Sequence, residues 1–471
     1  MTVRRDPGSF RDPAASVWIG AGRTFRALGR SASDNFDWLK RSGAYERLTR
    51  DHGLLPGEPL AGEPGLLPET DDAPSAVRWL EHPTVPFVSY PYEWPFALLK
   101  RAALAHLDLH IAALEHDVTI IDGTAYNVQF LGPKPVFIDT PALVPYADGD
   151  FWQGYKQFCE QFLAPLTIAA KLGVSYNAWY RGALDGLDIE AVARVLPMRA
   201  KMLPGIFAHI VAQAMLMRGE RKRIRTGADR AGRLPRMTKA RLVALLQGLR
   251  RTVSRLEVDT RRVTDWGGYE HSNSYTDAAT AAKLGVVGEF VGREKPALVW
   301  DLGCNTGRFA ASALAAGASR VIGFDTDEVA LELAVQRADR ECLDFLPLYG
   351  DLANPSPGNG WNGAERKSLA DRRPADAVLA LAVVHHLAIG RNIPLAAVID
   401  SIVSLAPRGV IEFVPKSDPM VVAMLSTRQD IFADYDLPTF RAELAKRART
   451  IAELPLPGST RVLFTFEGRT S

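Results

Sequence analysis

The spacing of hydrophobic positions changes near residue 296. From Pro296 onward, short apolar runs alternate with stretches in which apolar residues recur every three to four positions. This alternation predicts parallel strands connected by helices, the arrangement of an α/β domain. Strands are predicted where the apolar runs fall, at 297–303, 320–325, 345–351, 376–383 and 409–415.

The last two apolar runs are connected by a short turn instead of a helix. Residues 450–456 and 461–468 are separated by a Pro-Gly-Ser turn, which predicts a hairpin. Such a hairpin would give the sheet an antiparallel edge.

The N-terminal half shows a mixed pattern. A strongly apolar helix is predicted at 95–116, followed by two short strands at 126–131 and 135–139. From Trp152 to about Arg255 the pattern is mainly helical, and the clearest amphipathic segment is 238–259.

Length and composition set the domain count and the class of protein. A chain of 471 residues is too long for one ordinary core. We predict an N-terminal α+β domain (1–165), a helical connecting region (166–260) and an α/β domain (261–471). The sequence has no long apolar run, so we predict that it contains no membrane span and no signal peptide. Three cysteines without ligand spacing predict no metal and a reducing, cytoplasmic location.

Charge is nearly balanced overall, with a formal net charge of +2, but it is uneven locally. Between Arg218 and Arg251 there are 12 Lys or Arg residues and two acids. Such a run is typical of a solvated helical hairpin with a basic linker. Docking of an anionic partner such as RNA is the alternative.

The first strand of the α/β domain ends in Asp301-Leu-Gly303-Cys-Asn305-Thr-Gly307 and leads into a helix. Glycines after a strand let a ligand approach the backbone at the sheet's C-terminal edge. A dinucleotide would place its pyrophosphate here, where Asp301 would repel it. S-adenosylmethionine instead carries an ammonium group, which Asp301 would attract.

Acids also end the next two strands. Asp325 can accept hydrogen bonds from ribose hydroxyls, with Asp327 as a near competitor, and Asp351 can accept the adenine amino group. Each acid alone could simply be a helix cap or a turn residue. Three acids at these spacings, together with the glycines, favour one binding crevice for S-adenosylmethionine.

This half resembles the class I methyltransferases, and more closely the nodulation-associated methyltransferase family. The matching segments are VWDLGCNTG, FDTD, DLANPSPGNGW, LALAVVHHLAI and IEFVPKSDPMV. The resemblance implies a seven-stranded Rossmann-like sheet with an antiparallel last strand. Asn305 stands where the first motif usually has Gly, and Asn also tolerates a left-handed backbone.

Residues on the substrate side follow the fourth strand. In this fold His385 and His386 are expected beside the transferred methyl, where a neutral histidine could act as base. The alternative is that they only shape the pocket. The resemblance also points to Trp266, Tyr269, Tyr275 and Lys283 as a lid over cofactor and substrate. Glu412 and Lys416 could face substrate or form a surface ion pair.

One pattern in the N-terminal half resembles a kinase-like C-lobe. Asp122 precedes Asn127 by five residues, and Asp139 ends the next predicted hairpin. No glycine-rich phosphate loop or strand lysine is evident in residues 1–90. We therefore expect a kinase-like scaffold without transfer activity. An active kinase and a coincidence of spacing are the alternatives.

The sequence thus predicts methyl transfer from S-adenosylmethionine to a hydroxyl or amine of a small-molecule or carbohydrate-like acceptor. One alternative is an RNA or protein methyltransferase that docks through residues 218–251. Another is a regulatory module that binds S-adenosylmethionine without turnover. The oligomeric state is left open.

Overall fold

The computed structural model describes residues 3–61, 76–149, 151–225, 237–261, 277–372 and 374–468. The chain divides into two compact units. The N-terminal unit comprises Met1–Asp259 and the short segment Gly358–Arg366, and the C-terminal unit comprises Thr260–Pro357 and Lys367–Ser471. Residues 1–165 and 166–259, which the sequence analysis treats as separate, lie within the same unit.

The N-terminal unit begins with a five-stranded antiparallel sheet in the order β1-β2-β3-β5-β4. Its strands are β1 (Arg4–Arg5), β2 (Ala15–Gly20), β3 (Arg23–Leu28), β4 (Glu58–Pro59) and β5 (Arg78–His82). Two antiparallel pairs follow: β6 (Val118–Ile120) with β9 (Leu143–Pro145), and β7 (Val128–Leu131) with β8 (Lys134–Phe137). The β7–β8 pair confirms the hairpin predicted from the sequence.

The described helices of this unit surround a central apolar helix. They are α1 (Arg30–Arg41), α2 (Ala44–Asp51), α3 (Phe96–Leu114), α4 (Tyr155–Phe158), α5 (Ala164–Leu172), α6 (Asn177–Gly182), α7 (Ile189–Val195), α8 (Met198–Lys201), α9 (Pro204–Ile206), α10 (Ala212–Arg225) and α11 (Lys239–Ser254). In α3, 12 of the 19 residues are buried, so this helix is covered on most sides. The sequence predicts this helix at 95–116, and its burial explains why its composition is so apolar.

The C-terminal unit contains a seven-stranded sheet in the order β12-β11-β10-β13-β14-β16-β15. The strands are β10 (Leu298–Leu302), β11 (Arg320–Asp325), β12 (Phe345–Tyr349), β13 (Ala377–Ala380), β14 (Arg408–Phe413), β15 (Ala448–Pro455) and β16 (Val462–Gly468). All seven strands predicted from the sequence are present. Strand β10 is fully buried, as expected for a central strand of a parallel sheet.

The antiparallel strand is not at the edge of the sheet. Strand β16 lies between β14 and β15 and runs antiparallel to both, so the predicted antiparallel last strand is confirmed. The hairpin also gives the sheet the predicted antiparallel edge, because the edge strand β15 pairs antiparallel with β16 and so follows the direction of β14. The hairpin folds back so that its second strand, with five buried residues, occupies the interior position.

Helices connect these strands. They are α12 (Asp277–Glu294), α13 (Arg308–Ala315), α14 (Glu328–Arg340), α15 (Leu395–Ser404), α16 (Pro419–Leu425) and α17 (Leu437–Arg447). Valine, alanine and phenylalanine side chains from α12–α14 pack on β10 and β11 to form the core. Among the described residues, no helix is sufficiently long and apolar to cross a membrane.

Candidate active site

A cavity of about 360 Å³ opens at the carboxyl ends of the central strands of the C-terminal unit. Its walls come from the loops after β10, β11, β12 and β13 and from α12. Open α/β sheets bind ligands at this edge, and the volume suits a small organic molecule.

The loop after β10 forms the floor of the cavity. Gly303 and Asn305 line it, with φ angles of +71° and +48°. A Cβ atom on Gly303 would lie 2.8 Å from Val383 Cγ2, so a side chain there is excluded. Asn305 adopts the left-handed backbone that its residue type tolerates. Gly307 is the N-cap of α13 and does not line the cavity.

The carboxylate of Asp325 is fixed by backbone donors at the end of β11. Its oxygens accept hydrogen bonds from the N–H groups of Asn305 (2.8 Å) and Asp327 (2.9 Å). Both oxygens keep further acceptor capacity, and the residue lines the cavity. Asp327 instead caps α14 by accepting from the N–H groups of Val329 and Ala330. Asp327 is therefore a helix cap, which was the alternative role for each of these acids, and it does not line the cavity.

Asp351 lines the cavity beyond β12. One carboxylate oxygen accepts from the N–H of Ala353 at 2.9 Å, and the other lies 3.2 Å from a guanidinium nitrogen of Arg391. Arg391 also lines the cavity. Arg391 could not be recognised from the sequence pattern, because it lies 40 positions after its partner.

Asp301 lies below the cavity surface, with a relative exposure of 1%. Its Oδ2 atom is buried and has no hydrogen-bond partner among the described residues. Burial, reinforced by the carboxylate of Asp325, raises the pKa of Asp301 to about 7. A buried carboxylate with an unsatisfied oxygen is a site at which a cation would be stabilised.

The two candidate histidines occupy different positions. His386 lines the cavity, whereas His385 is 0% exposed and does not. Neither ring nitrogen of His385 has a hydrogen-bond partner among the described residues. Burial and the nearby Arg461 guanidinium lower the pKa of His386 to about 4. Of the two candidate bases, His386 is therefore the one that lines the cavity.

Lys283 is part of a buried ion cluster. It lies on α12, lines the cavity, and places its Nζ atom 2.7 Å from Glu412 Oε2. Glu412 also lies 3.7 Å from Arg461, which pairs with Asp418 at 2.6 Å. A buried helical lysine held in this way is not part of a lid, so that expectation is corrected. The other predicted lid residues, Trp266, Tyr269 and Tyr275, lie outside the described residues.

The ion-pair partner of Lys416 is not Glu412, although the two residues are close in sequence. It forms a partly exposed ion pair with Asp430 at 2.8 Å. Glu412 is completely buried, so the hypothesis of a surface ion pair at this position is wrong for Glu412. Its ion-pair partners are Lys283 of α12 and Arg461, which directly precedes β16, and both are far away in sequence.

The three polar residues singled out in the N-terminal unit do come together. The amide of Asn127 donates to Asp122 (3.5 Å) and to Asp139 (3.2 Å). Asp139 also pairs with Arg26 of β3 at 2.7 Å. Burial raises the pKa of both carboxyl groups, and Arg26 opposes that shift at Asp139. Sequence reasoning missed Arg26, which lies 113 residues before its partner.

The strand order of the C-terminal unit, its first-strand glycine loop and the acids at three strand ends define a class I S-adenosylmethionine-dependent methyltransferase. The chain is 41% identical over 473 residues to nodulation protein NoeA of Rhizobium meliloti strain 1021. That match covers 98% of this chain and 96% of the relative, so the chain belongs to the NoeA family.

Other similarities are more limited. A stretch of 60 residues is 40% identical to the ribosomal protein L11 methyltransferase of Thermotoga maritima, covering 13% of this chain and 23% of that protein. No family model matches the chain.

Solved structures of methyltransferases are also similar to part of the chain. The N-methyltransferase NodS from Bradyrhizobium japonicum WM9, in complex with S-adenosyl-L-homocysteine, is 13% identical, with 44% of this chain and 94% of that chain covered and a TM-score of 0.32. Magnesium protoporphyrin IX methyltransferase from Synechocystis PCC 6803 is 19% identical, with coverages of 43% and 93% and a TM-score of 0.31.

Proposed function

We propose that this enzyme transfers the methyl group of S-adenosylmethionine to a hydroxyl or amine of a small-molecule or carbohydrate-like acceptor. The observation that supports this most is that His386 shares one cavity with Asp325 and Asp351. A candidate base and the proposed cofactor-binding acids would then serve one reaction site.

Each acid has a proposed partner on the cofactor. Asp325 would accept hydrogen bonds from the ribose hydroxyls, and Asp351 would accept the adenine amino group. Asp301 would stabilise the ammonium of the methionine part through its unsatisfied oxygen. The loop at Gly303 and Asn305 would allow the cofactor to approach the backbone closely.

When bound, S-adenosylmethionine supplies an electrophilic methyl carbon on a positively charged sulfur. His386 would accept the proton of an acceptor hydroxyl, so that its oxygen can displace the sulfur from the methyl carbon and the cofactor leaves as S-adenosylhomocysteine. Because its pKa is lowered to about 4, this imidazole is neutral near pH 7, which is the form that can accept a proton. An uncharged amine acceptor would not need a base, because proximity and desolvation are then sufficient for methyl transfer.

Methylation of RNA or protein through residues 218–251 has less support. Arg218 and Arg221 both pair with Glu190, at 3.3 and 3.1 Å, and Arg250 pairs with Asp108. These cations are partly neutralised within the N-terminal unit. A nucleic-acid acceptor would also make affinity fall steeply with salt, which separates the two functions experimentally.

The test is transfer of a trideuterated methyl group from labelled S-adenosylmethionine to pools of metabolites, glycans, RNA and proteins. We expect labelled product in a metabolite or glycan pool, detected by mass spectrometry, and much less of it with the Asp325→Ala variant at the same low cofactor concentration. Label confined to RNA or protein would contradict the proposed acceptor. Binding of cofactor without label in any pool would instead support the regulatory alternative.

A further inference from the structure

The N-terminal unit exposes an unusual concentration of large apolar side chains. Among the described residues, 19 large hydrophobic side chains are exposed, and seven of them lie between positions 195 and 216. We call these seven the apolar surface: Val195, Met198, Met202, Leu203, Phe207, Met215 and Leu216. Concentration in 22 residues distinguishes them from the scattered exposed residues that soluble proteins normally carry.

Helical geometry explains why this surface faces outward. Helix α9, a π-turn at Phe207–Val211 and α10 follow one another without interruption. Ile206, Ile210 and Ala214, spaced four residues apart, are buried. Phe207, Met215 and Leu216 lie on other faces of the helix and are 48%, 60% and 69% exposed.

Polar contacts hold this helix to the rest of the unit. His209 Nδ1 lies 2.9 Å from the hydroxyl of Tyr155. At the other end, the buried carboxylate of Glu190 pairs with Arg218 and Arg221. The apolar surface is therefore presented by a helix whose inner side is already occupied.

The exposed charges beside the apolar surface are mainly positive. Residues 191–217 contain three cations, Arg194, Arg199 and Lys201, and no aspartate or glutamate. Arg194 and Arg199 are exposed, Lys201 is partly exposed, and the neighbouring Glu190 is buried and already paired with Arg218. An apolar surface beside exposed cations is complementary to a ligand that is itself apolar and anionic.

We propose that this face is a membrane-association surface that binds the headgroup region of an anionic lipid bilayer. Methionine, leucine and phenylalanine side chains would enter the boundary between headgroups and acyl chains, while the cations contact anionic headgroups. Seven apolar side chains combined with three exposed or partly exposed cations supply the two signals that stable interfacial binding needs.

A second copy of the chain fits this face less well. Two identical surfaces related by twofold symmetry would bring their arginines and lysine together, and like charges at an interface repel. Nucleic acid would satisfy the cations but would leave the methionine and leucine side chains unmatched. Of these three occupants, the lipid interface is the one that offers partners to both components of the surface.

The test is flotation of the full chain with vesicles in a density gradient. Vesicles of phosphatidylcholine are compared with vesicles in which about 30% of the lipid is phosphatidylglycerol. We expect flotation with the anionic vesicles at about 50 mM salt, little with phosphatidylcholine alone, and release near 0.5 M salt. The triple variant Met202→Gln, Phe207→Gln, Leu216→Gln should lower the partition coefficient at least about tenfold.

A matched control is available in the other unit. Ile431 and Ile451 are 61% and 41% exposed, and the double variant Ile431→Gln, Ile451→Gln should float like the unchanged protein. Circular dichroism and thermal melting of all variants check that they are folded. Absence of flotation at low salt overturns the proposal, as does equal flotation of the triple variant. So does a self-association that the triple variant abolishes while no form binds vesicles.

Discussion

At the residue scale, the most telling group is the carboxyl of Asp301. It is buried, one oxygen is unsatisfied among the described residues, and its pKa is raised to about 7. The protonated form is therefore favoured in the folded protein below about pH 7. The stability that this group contributes is present below its ordinary pKa and is lost as the pH rises through about 7.

Binding of S-adenosylmethionine should reverse this preference. Its ammonium group favours the ionised carboxylate, so binding should release up to one proton near pH 6.5, and affinity should rise from about pH 5.5 to 7.5. Calorimetry in two buffers with different ionisation enthalpies measures that release. Asp301→Asn should weaken binding about tenfold and abolish the pH dependence. A release that persists in this variant would assign the proton to another group.

His386 and His385 make a matched pair for testing the catalytic base. His386→Ala should lower turnover on a hydroxyl acceptor by about 100-fold with little change in cofactor affinity. His385→Ala removes a buried ring, so its main effect should be on the melting temperature. Steady-state kinetics and calorimetry separate the two effects. Full activity of His386→Ala at neutral pH would rule out the base role.

At the element scale, charges in the interior join α12, β14 and the residue that directly precedes β16. Lys283, Glu412 and Arg461 are at most 2% exposed, and Glu412 lies between the two cations. Removing one member of a buried ion pair leaves the remaining charge without compensation, which is costly. The cluster therefore fixes how these three elements pack beside the cavity.

Glu412→Ala should lower the free energy of unfolding of the C-terminal unit by about 3–5 kcal/mol. Lys416→Ala is the control three positions beyond the strand, because its ion pair with Asp430 is 31% and 45% exposed. It should cost about 1 kcal/mol or less. Urea denaturation followed by fluorescence provides the comparison. Equal losses in the two variants would contradict the structural role assigned to the buried cluster.

The positions of the strands could be predicted from the sequence better than which strands lie side by side in the sheet. Buried strands such as β10 and β13 were recognisable as apolar runs with turn residues at their ends. The insertion of β16 beside β14 was not, because a hairpin pattern does not specify which of its strands pairs with the sheet. Spacing also placed Asp325 at the cavity, but could not reveal the Lys283–Glu412 pair, whose members are 129 positions apart.

At the scale of the whole molecule, the chain combines a methyltransferase unit with an N-terminal unit of separate architecture. The convergence of Asp122, Asn127 and Asp139 supports the kinase-like hypothesis for that unit, which stays a prediction. Arg26, the cation nearest these acids, is paired with Asp139 and with the carbonyl of Ile138. Phosphoryl transfer requires positive charge directed at the phosphates.

We therefore expect the full chain to show no ATP hydrolysis or phosphotransfer above background in the presence of Mg²⁺. Radiolabelled ATP provides a sensitive measurement, and the Asp139→Ala variant is the control for contaminating activity. Hydrolysis by the unchanged protein that disappears in Asp139→Ala would show that the N-terminal unit is an active phosphotransferase.

The central claim is that the cavity at the end of the parallel strands binds S-adenosylmethionine through Asp325. Calorimetric titration of the full chain and of two variants tests it most directly. Asp325→Ala should weaken binding by about 1–3 kcal/mol, because charge-assisted hydrogen bonds to ribose are lost. Asp327→Ala removes a helix cap, so it should lower stability by about 1 kcal/mol and leave affinity unchanged. Unchanged affinity in a folded Asp325→Ala variant would contradict the account.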